Sequence, residues 1–386
     1  MRLFSADEMA EKNFLASLDH AKLKAAFRRS AKGIHPDLHA RDSGQKIAKQ
    51  TEQFRQIKES YEFLTALLNE KVAGEPLRQA KIIAVGGAKG GVGKSLFSAN
   101  LAILLAARGY RTVAVDLDLG GANLPLYLGE NYKMERTIND FLQKKYPTLE
   151  DIMIKGKNGP QIIGGDSSQL GNANIPFAQK LKMLRALKKI DADYIVLDLG
   201  GDTSFNILDF FLAGDYGIVV TTLAPASYIS AYQFIKTALY RKLNRINGPE
   251  SNLNFEKDGE LVRFLHEVSM PSSGKPEMPI EELASKIKEM YPGDYQQMLR
   301  KLLDFNPFLV VNKVNQASHA AQVISVIQSL SDKMLSMEIR SPGFITWEPD
   351  LMESFMVKAP PVIMFPNGRL AREINMIIDR MLPASR

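Results

Sequence analysis

Gly86-Gly-Ala-Lys-Gly-Gly-Val-Gly-Lys-Ser95 is the stretch that decides the fold. The apolar run 82–85 predicts a strand before it, and 96–108 predicts a helix after it. In such a turn successive backbone N–H groups form an anion nest, and glycines let the backbone approach phosphate closely. The helix adds the positive end of its dipole. Gly90, Gly91, Val92, Gly93, Lys94 and Ser95 are therefore the expected nucleotide-binding residues. Lys94 would reach the β- and γ-phosphates, and Ser95 would place its hydroxyl on Mg²⁺. Ala88 stands where the usual motif has its first glycine.

Further along, short apolar runs at 112–117, 194–199, 218–222, 308–311 and 362–365 alternate with helical stretches such as 176–189. That alternation predicts an α/β fold, a parallel sheet covered on both faces. Residues 245–305 interrupt it with turn signals and two helical stretches, and read as a helical insertion. Residues 1–70 read as a small all-α module and 71–79, with Gly74 and Pro76, as a linker to a core over 80–386. The 386 residues are 45% hydrophobic and 24% charged, which excludes disorder and fibrous classes. The first residues lack an apolar signal core and no run is long enough to span a bilayer, so a cytoplasmic location, peripheral or polar, is expected.

The phosphate loop resembles the deviant P loop of the MinD/ParA ATPases, Lys-Gly-Gly-x-Gly-Lys-Ser/Thr. The resemblance covers about 80–245 and 306–382 and implies a P-loop ATPase that binds ATP with Mg²⁺. It also implies that Lys89 is the signature lysine that reaches the partner's ATP in an ATP-dependent homodimer. A cation supplied in this way stabilises phosphate charge as an arginine finger does. Val113-Ala-Val-Asp-Leu-Asp-Leu-Gly-Gly-Ala-Asn-Leu124 resembles the second strand and switch I. By that resemblance Asp118 lies near the attacking water and Asp116 supports the metal.

Asp193-Tyr-Ile-Val-Leu-Asp198 resembles the Walker B strand and puts Asp198 at the metal. The following Leu-Gly-Gly-Asp202 looks like switch II of the nitrogenase iron protein. Asp202 is then either a second residue that positions water or the cap of the next helix. Asn312 resembles the asparagine that reads the adenine edge, since an amide offers donor and acceptor together. Trp347, the lone tryptophan, lies in a stretch resembling the one that closes over the base, and is expected to pack in the core.

The chain has no cysteine, so cysteine-bridged iron proteins and iron–sulfur carriers are excluded among these relatives. The positioning ATPases remain: MinD, ParA, FlhG and FleN. In MinD the last helix is a membrane anchor; here 370–382 has the apolar spacing of a helix docked on the sheet. A protein partner that stimulates hydrolysis is expected; a net charge of +6 is compatible with DNA or an anionic membrane surface and equally with neither, and these are not favoured.

Residues 14–68 resemble a J domain: the basic helix 22–32, then His35-Pro-Asp37, then the helical stretch 54–64. This implies that His35, Pro36 and Asp37 engage a DnaK-type chaperone. His35 and His39 stand four apart, but Pro36 breaks any common helical face, so a metal site there is not expected. Two functions follow: a dimeric switch that positions or recruits flagellar, division or other cargo, or an adaptor that brings the chaperone to a client.

Overall fold

The computed structural model describes residues 20–32, 54, 57, 58, 61, 80–118, 121–130, 134–165, 175, 177–247, 280–290, 304–349 and 351–382. These belong to two compact units. One comprises the described residues within Met1–Leu77 together with those of Ile175–Arg185; the other comprises those within Arg78–Asn174 and Ala186–Arg386.

In the first unit, α1 (His20–Ala31) follows the expected helical spacing and buries Leu23 and Ala26, as Ile57 is buried. Phe27 meets Tyr61 with ring centroids 4.5 Å apart. The expected His35-Pro36-Asp37 loop and the linker lie outside the described residues.

The second unit is an eight-stranded sheet in the order β3-β4-β2-β5-β1-β6-β7-β8. Its strands are β1 (Lys81–Gly86), β2 (Thr112–Leu117), β3 (Ile154–Lys155), β4 (Gln161–Ile163), β5 (Tyr194–Leu199), β6 (Tyr216–Thr222), β7 (Phe308–Val314) and β8 (Arg340–Thr346). All pairings are parallel except β3 with β4. β2 is buried along its whole length, the mark of a strand covered on both faces, which is why it reads as continuous apolar sequence.

The helices in chain order are α2 (Lys94–Ala107), α3 (Leu124–Tyr127), α4 (Ile138–Leu142), α5 (Phe177–Lys189), α6 (Phe205–Leu212), α7 (Pro225–Asn247), α8 (Ile280–Met290), α9 (Ala317–Leu335), α10 (Leu351–Met356), α11 (Pro361–Met364) and α12 (Arg369–Met381). Of the two helical stretches expected in the insertion, the first is α8, and the second lies outside the described residues.

One expected strand is absent, and three observed strands, β3, β4 and β8, were not expected. The apolar run 362–365 is not a strand; α11 covers most of it, with Pro361 at its first turn, where a missing N–H costs nothing. The eighth strand is instead β8, hidden in the sequence because Ser341, Pro342 and Gly343 break its apolar pattern. A strand at the sheet edge tolerates that proline.

α2 buries almost every residue, and α12 lays Leu370, Ala371, Ile374, Ile377, Ile378 and Met381 into the same core. Arg108 ties the two helices by bonding Asn375 and Asp379. The last helix is therefore docked on the sheet, as its spacing predicts. Among the described residues no helix is long and apolar enough to cross a membrane.

Candidate nucleotide site

β1 lies between β5 and β6, where the strand order reverses, so a crevice opens at the carboxyl ends. The loop Gly87–Gly93 turns there into α2. Gly93 caps that helix at φ 97°, a left-handed conformation, and a Cβ at Gly93 would collide with the Asn312 amide. Glycine is thus required twice over at this position. Side chains added at Gly90 or Gly91 would meet nothing, which leaves this part of the loop open.

Lys94 is 7% exposed and donates its ammonium to the Lys89 carbonyl at 3.1 Å. Burial pulls its pKa below the ordinary lysine value, and the carboxylates of Asp198, Asp118 and Asp202 oppose that pull. The loop lysine and three of the predicted carboxylates therefore share one electrostatic field.

Asp198 lies one residue from the end of β5, inside its buried run, and sits in register with Val85 of β1 and Asp116 of β2. Its Oδ1 accepts the Ser98 hydroxyl at 2.9 Å, and its Oδ2 is buried with no hydrogen-bond partner. Burial raises its pKa to about 6, and the hydroxyls of Ser95 and Ser98 and the Lys94 charge pull it back. An orphaned buried carboxylate oxygen beside a serine hydroxyl fits Mg²⁺, which takes few protein ligands and completes its shell with water and phosphate. Ser95 and Asp198 could hold that ion. Among the described residues no group of three or more His, Cys, Asp or Glu forms a separate metal cluster.

Asp116, the residue expected to support the metal, lies beside Asp198 on the neighbouring strand. Both of its oxygens are taken by backbone donors, the N–H of Asp118 at 3.1 Å and of Leu124 at 2.9 Å. It thereby ties Leu124 to the end of β2. Burial and the neighbouring Asp198 charge raise its pKa well above the carboxylate range, against the pull of those two N–H groups.

Asp118 stands between two glycines. A Cβ at Gly200 would lie 3.4 Å from its Oδ1, and one at Gly121 would lie 3.5 Å from its Oδ2. Asp202 is exposed and accepts the Ser204 N–H at 2.6 Å, one residue before α6. Ser204, not Asp202, holds the cap position of that helix. Gly201 packs directly on the phosphate loop: a Cβ there would lie 2.9 Å from the Gly90 nitrogen.

Asn312 is brought to the loop at buried depth, but its amide faces the protein. Nδ2 donates to the Val92 carbonyl at 2.8 Å, and Oδ1 accepts the Lys313 N–H. Trp347, expected in the core, is 42% exposed. Sequence reasoning missed Ser98 and Lys313. Ser98 follows Ser95 by three residues and so shares its helix face, a signal that was available. Lys313 gave no signal, because its role depends on an irregularity of β7.

A parallel sheet with a glycine loop, buried lysine and Walker-type aspartate at its switch point defines a P-loop nucleotide-binding protein. The chain belongs to the CobQ/CobB/MinD/ParA nucleotide-binding domain family, whose profile matches residues 83–362. It is 32% identical over 174 residues to the antiactivator FleN of Pseudomonas aeruginosa, covering 45% of this chain and 59% of that one. It is 32% identical over 197 residues to the flagellum site-determining protein YlxH of Helicobacter pylori, covering 50% and 60%. The chain thus spans about six-tenths of the length of these curated relatives. The fold is similar to that in the MinC:MinD cell division protein complex of Aquifex aeolicus, with a TM-score of 0.50 at 19% identity over 80% of this chain and 99% of that one.

Proposed function

We propose that the chain is an ATP-dependent dimeric switch that positions or recruits a cellular partner. The observation that carries this reading is the unsatisfied Oδ2 of Asp198, buried beside Ser95 and Lys94 at the mouth of the phosphate loop. Leaving a buried carboxylate oxygen unpaired costs stability, so the site is built for a ligand that completes it. Mg²⁺ would neutralise charge between the β- and γ-phosphates.

The protein's own groups do the rest. Loop N–H groups and Lys94 hold the triphosphate, Lys94 leaving the Lys89 carbonyl to do so. Asp118, with glycine on both sides, has room for a water in line with the γ-phosphorus. Asp202 is the second candidate for that water, and Lys89 acts across the homodimer. Hydrolysis is slow until a protein partner stimulates it. The names of FleN and YlxH favour a flagellar cargo, and that of the H. pylori septum site-determining MinD, 33% identical over 143 residues, a division-site one. In this reading 1–70 is a J-like module, 71–79 a linker, 80–386 the ATPase core and 245–305 its insertion, with a cytoplasmic, peripheral or polar location.

The test is light scattering of Asp118→Ala with ATP or ADP. A dimer with ATP and a monomer with ADP is expected, with hydrolysis reduced roughly 100-fold. Wild-type turnover in this variant would move the water-positioning role to Asp202. A monomer under both conditions, with ATP bound, would remove Lys89 from its role in trans.

A second reading, recruitment of a DnaK-type chaperone, is favoured by the Phe27–Tyr61 contact that joins two of the J-like segments, by exposed Lys24 and Arg28 on α1 and by exposed Lys32 just after it. His35→Gln separates the two: unchanged cellular behaviour in that variant argues against the chaperone role.

A further inference from the structure

In a regular strand neighbouring side chains point to opposite faces. Asn312 and Lys313 break that rule. β7 and β8 pair at Val311 with Phe344 and next at Val314 with Thr346, so two residues of β7 stand opposite the single Ile345. This is a β-bulge, and Lys313 occupies it at φ 57°, the left-handed region that costs a lysine about 1 kcal/mol. The irregularity turns both side chains onto the phosphate loop. The Asn312 amide bonds the Val92 carbonyl at 2.8 Å, and the Lys313 ammonium bonds the Gly91 carbonyl at 3.0 Å. The same ammonium lies 6.0 Å above the Trp347 ring, whose backbone N–H is fixed to the Val314 carbonyl.

A phosphate nest works only if its N–H groups point inward, which requires its carbonyls to point outward and be held there. Three side chains do this along the loop: Lys94 on Lys89, Lys313 on Gly91 and Asn312 on Val92. Lys94 must give up its carbonyl when it turns to phosphate, which leaves the two residues of the bulge as the remaining ties. We propose that Lys313 is a positioning residue for nucleotide, a third lysine of the phosphate loop that braces it from outside and touches no phosphate. Strain stored at a functional site needs such a return. The proposal rests on the reading of this loop as the ATP site.

The experiment compares the full chain with Lys313→Met and Lys313→Arg by calorimetric titration of Mg·ATP and by thermal melting. Lys313→Met keeps the stem and loses the donor. Its dissociation constant is expected to rise about tenfold, the weight of one charge-assisted hydrogen bond. That loss should persist at about 0.5 M salt, where distant charge effects are screened. The melting temperature should stay within about 2 °C of wild type, because the ammonium is on the exposed side of the loop. Lys313→Arg should recover most of the affinity. A dissociation constant within about twofold of wild type overturns the proposal. So does a loss that vanishes at high salt, which would make Lys313 a remote charge, or one matched by a large fall in melting temperature, which would make it a structural tie. A wild-type chain that binds neither ATP nor ADP would remove the ATP-site reading and the brace with it.

Discussion

The two ends of the sheet treat charge in opposite ways. At the amino end Asp215 accepts the Ile82 N–H and the Lys81 ammonium, and Asp193 accepts the Arg111 N–H and guanidinium. These groups are partly exposed and paired. At the carboxyl end Asp198 and Asp116 are wholly buried in adjacent strands, one oxygen has no partner, and Lys94 is buried with them. Water settles the charges at the first end; at the second they are shut away from it. The lesson is that the strand ends facing the phosphate loop give up stability, which the apolar layers of α2 and α12 restore.

The sharpest way to break this contrast is Lys94→Ala. Nucleotide affinity should fall by more than about 100-fold in calorimetric titration, with the fold retained by circular dichroism, because a buried cation facing phosphate is lost. Retained affinity would mean that the loop N–H groups alone bind.

Next in size is Ile377→Ala on α12, fully buried in the restoring core. Denaturant unfolding should show a loss of about 3 kcal/mol, without a matching change in nucleotide affinity.

Asp198→Asn probes the stored cost directly. Its folded pKa of about 6 lies above the unfolded value, so its contribution is fully present below pH about 4 and is lost as pH rises through about 6. Nucleotide-free wild type should therefore lose about 3 kcal/mol more across that window than the variant, which keeps only the loss due to buried Asp116. Melting curves at a series of pH values read this, and identical pH dependence in both proteins would refute the stored cost. Mg·ATP should stabilise the wild type more than the variant.

The smallest effect belongs to the other end. Lys81→Ala removes an exposed ion pair and should cost under about 1 kcal/mol. A larger loss would show that the two ends are not so different.

Much of this was legible beforehand, for physical reasons. A buried parallel strand must be mostly apolar, so β1, β2, β5 and β6 stood out, and a nest for phosphate must be glycine-rich, so Gly86–Ser95 did too. β8 did not, since an edge strand bears Pro342 and Gly343 without harm. Nor did Trp347: an indole can lie in a core or beside a lysine, and only the fold puts it near Lys313.

Local chemistry, written in the chain itself, determined the phosphate loop, the parallel sheet, the buried aspartate at the end of β5 and the docking of the last helix, because each depends on residue type at a fixed spacing. Tertiary structure alone decided that Asp116 binds the Asp118 and Leu124 N–H groups, that Gly201 lies on the loop backbone and that the bulge in β7 turns Asn312 and Lys313 to the same side. Those depend on which strands become neighbours and on where their register slips, and no spacing within one strand encodes a relation between two.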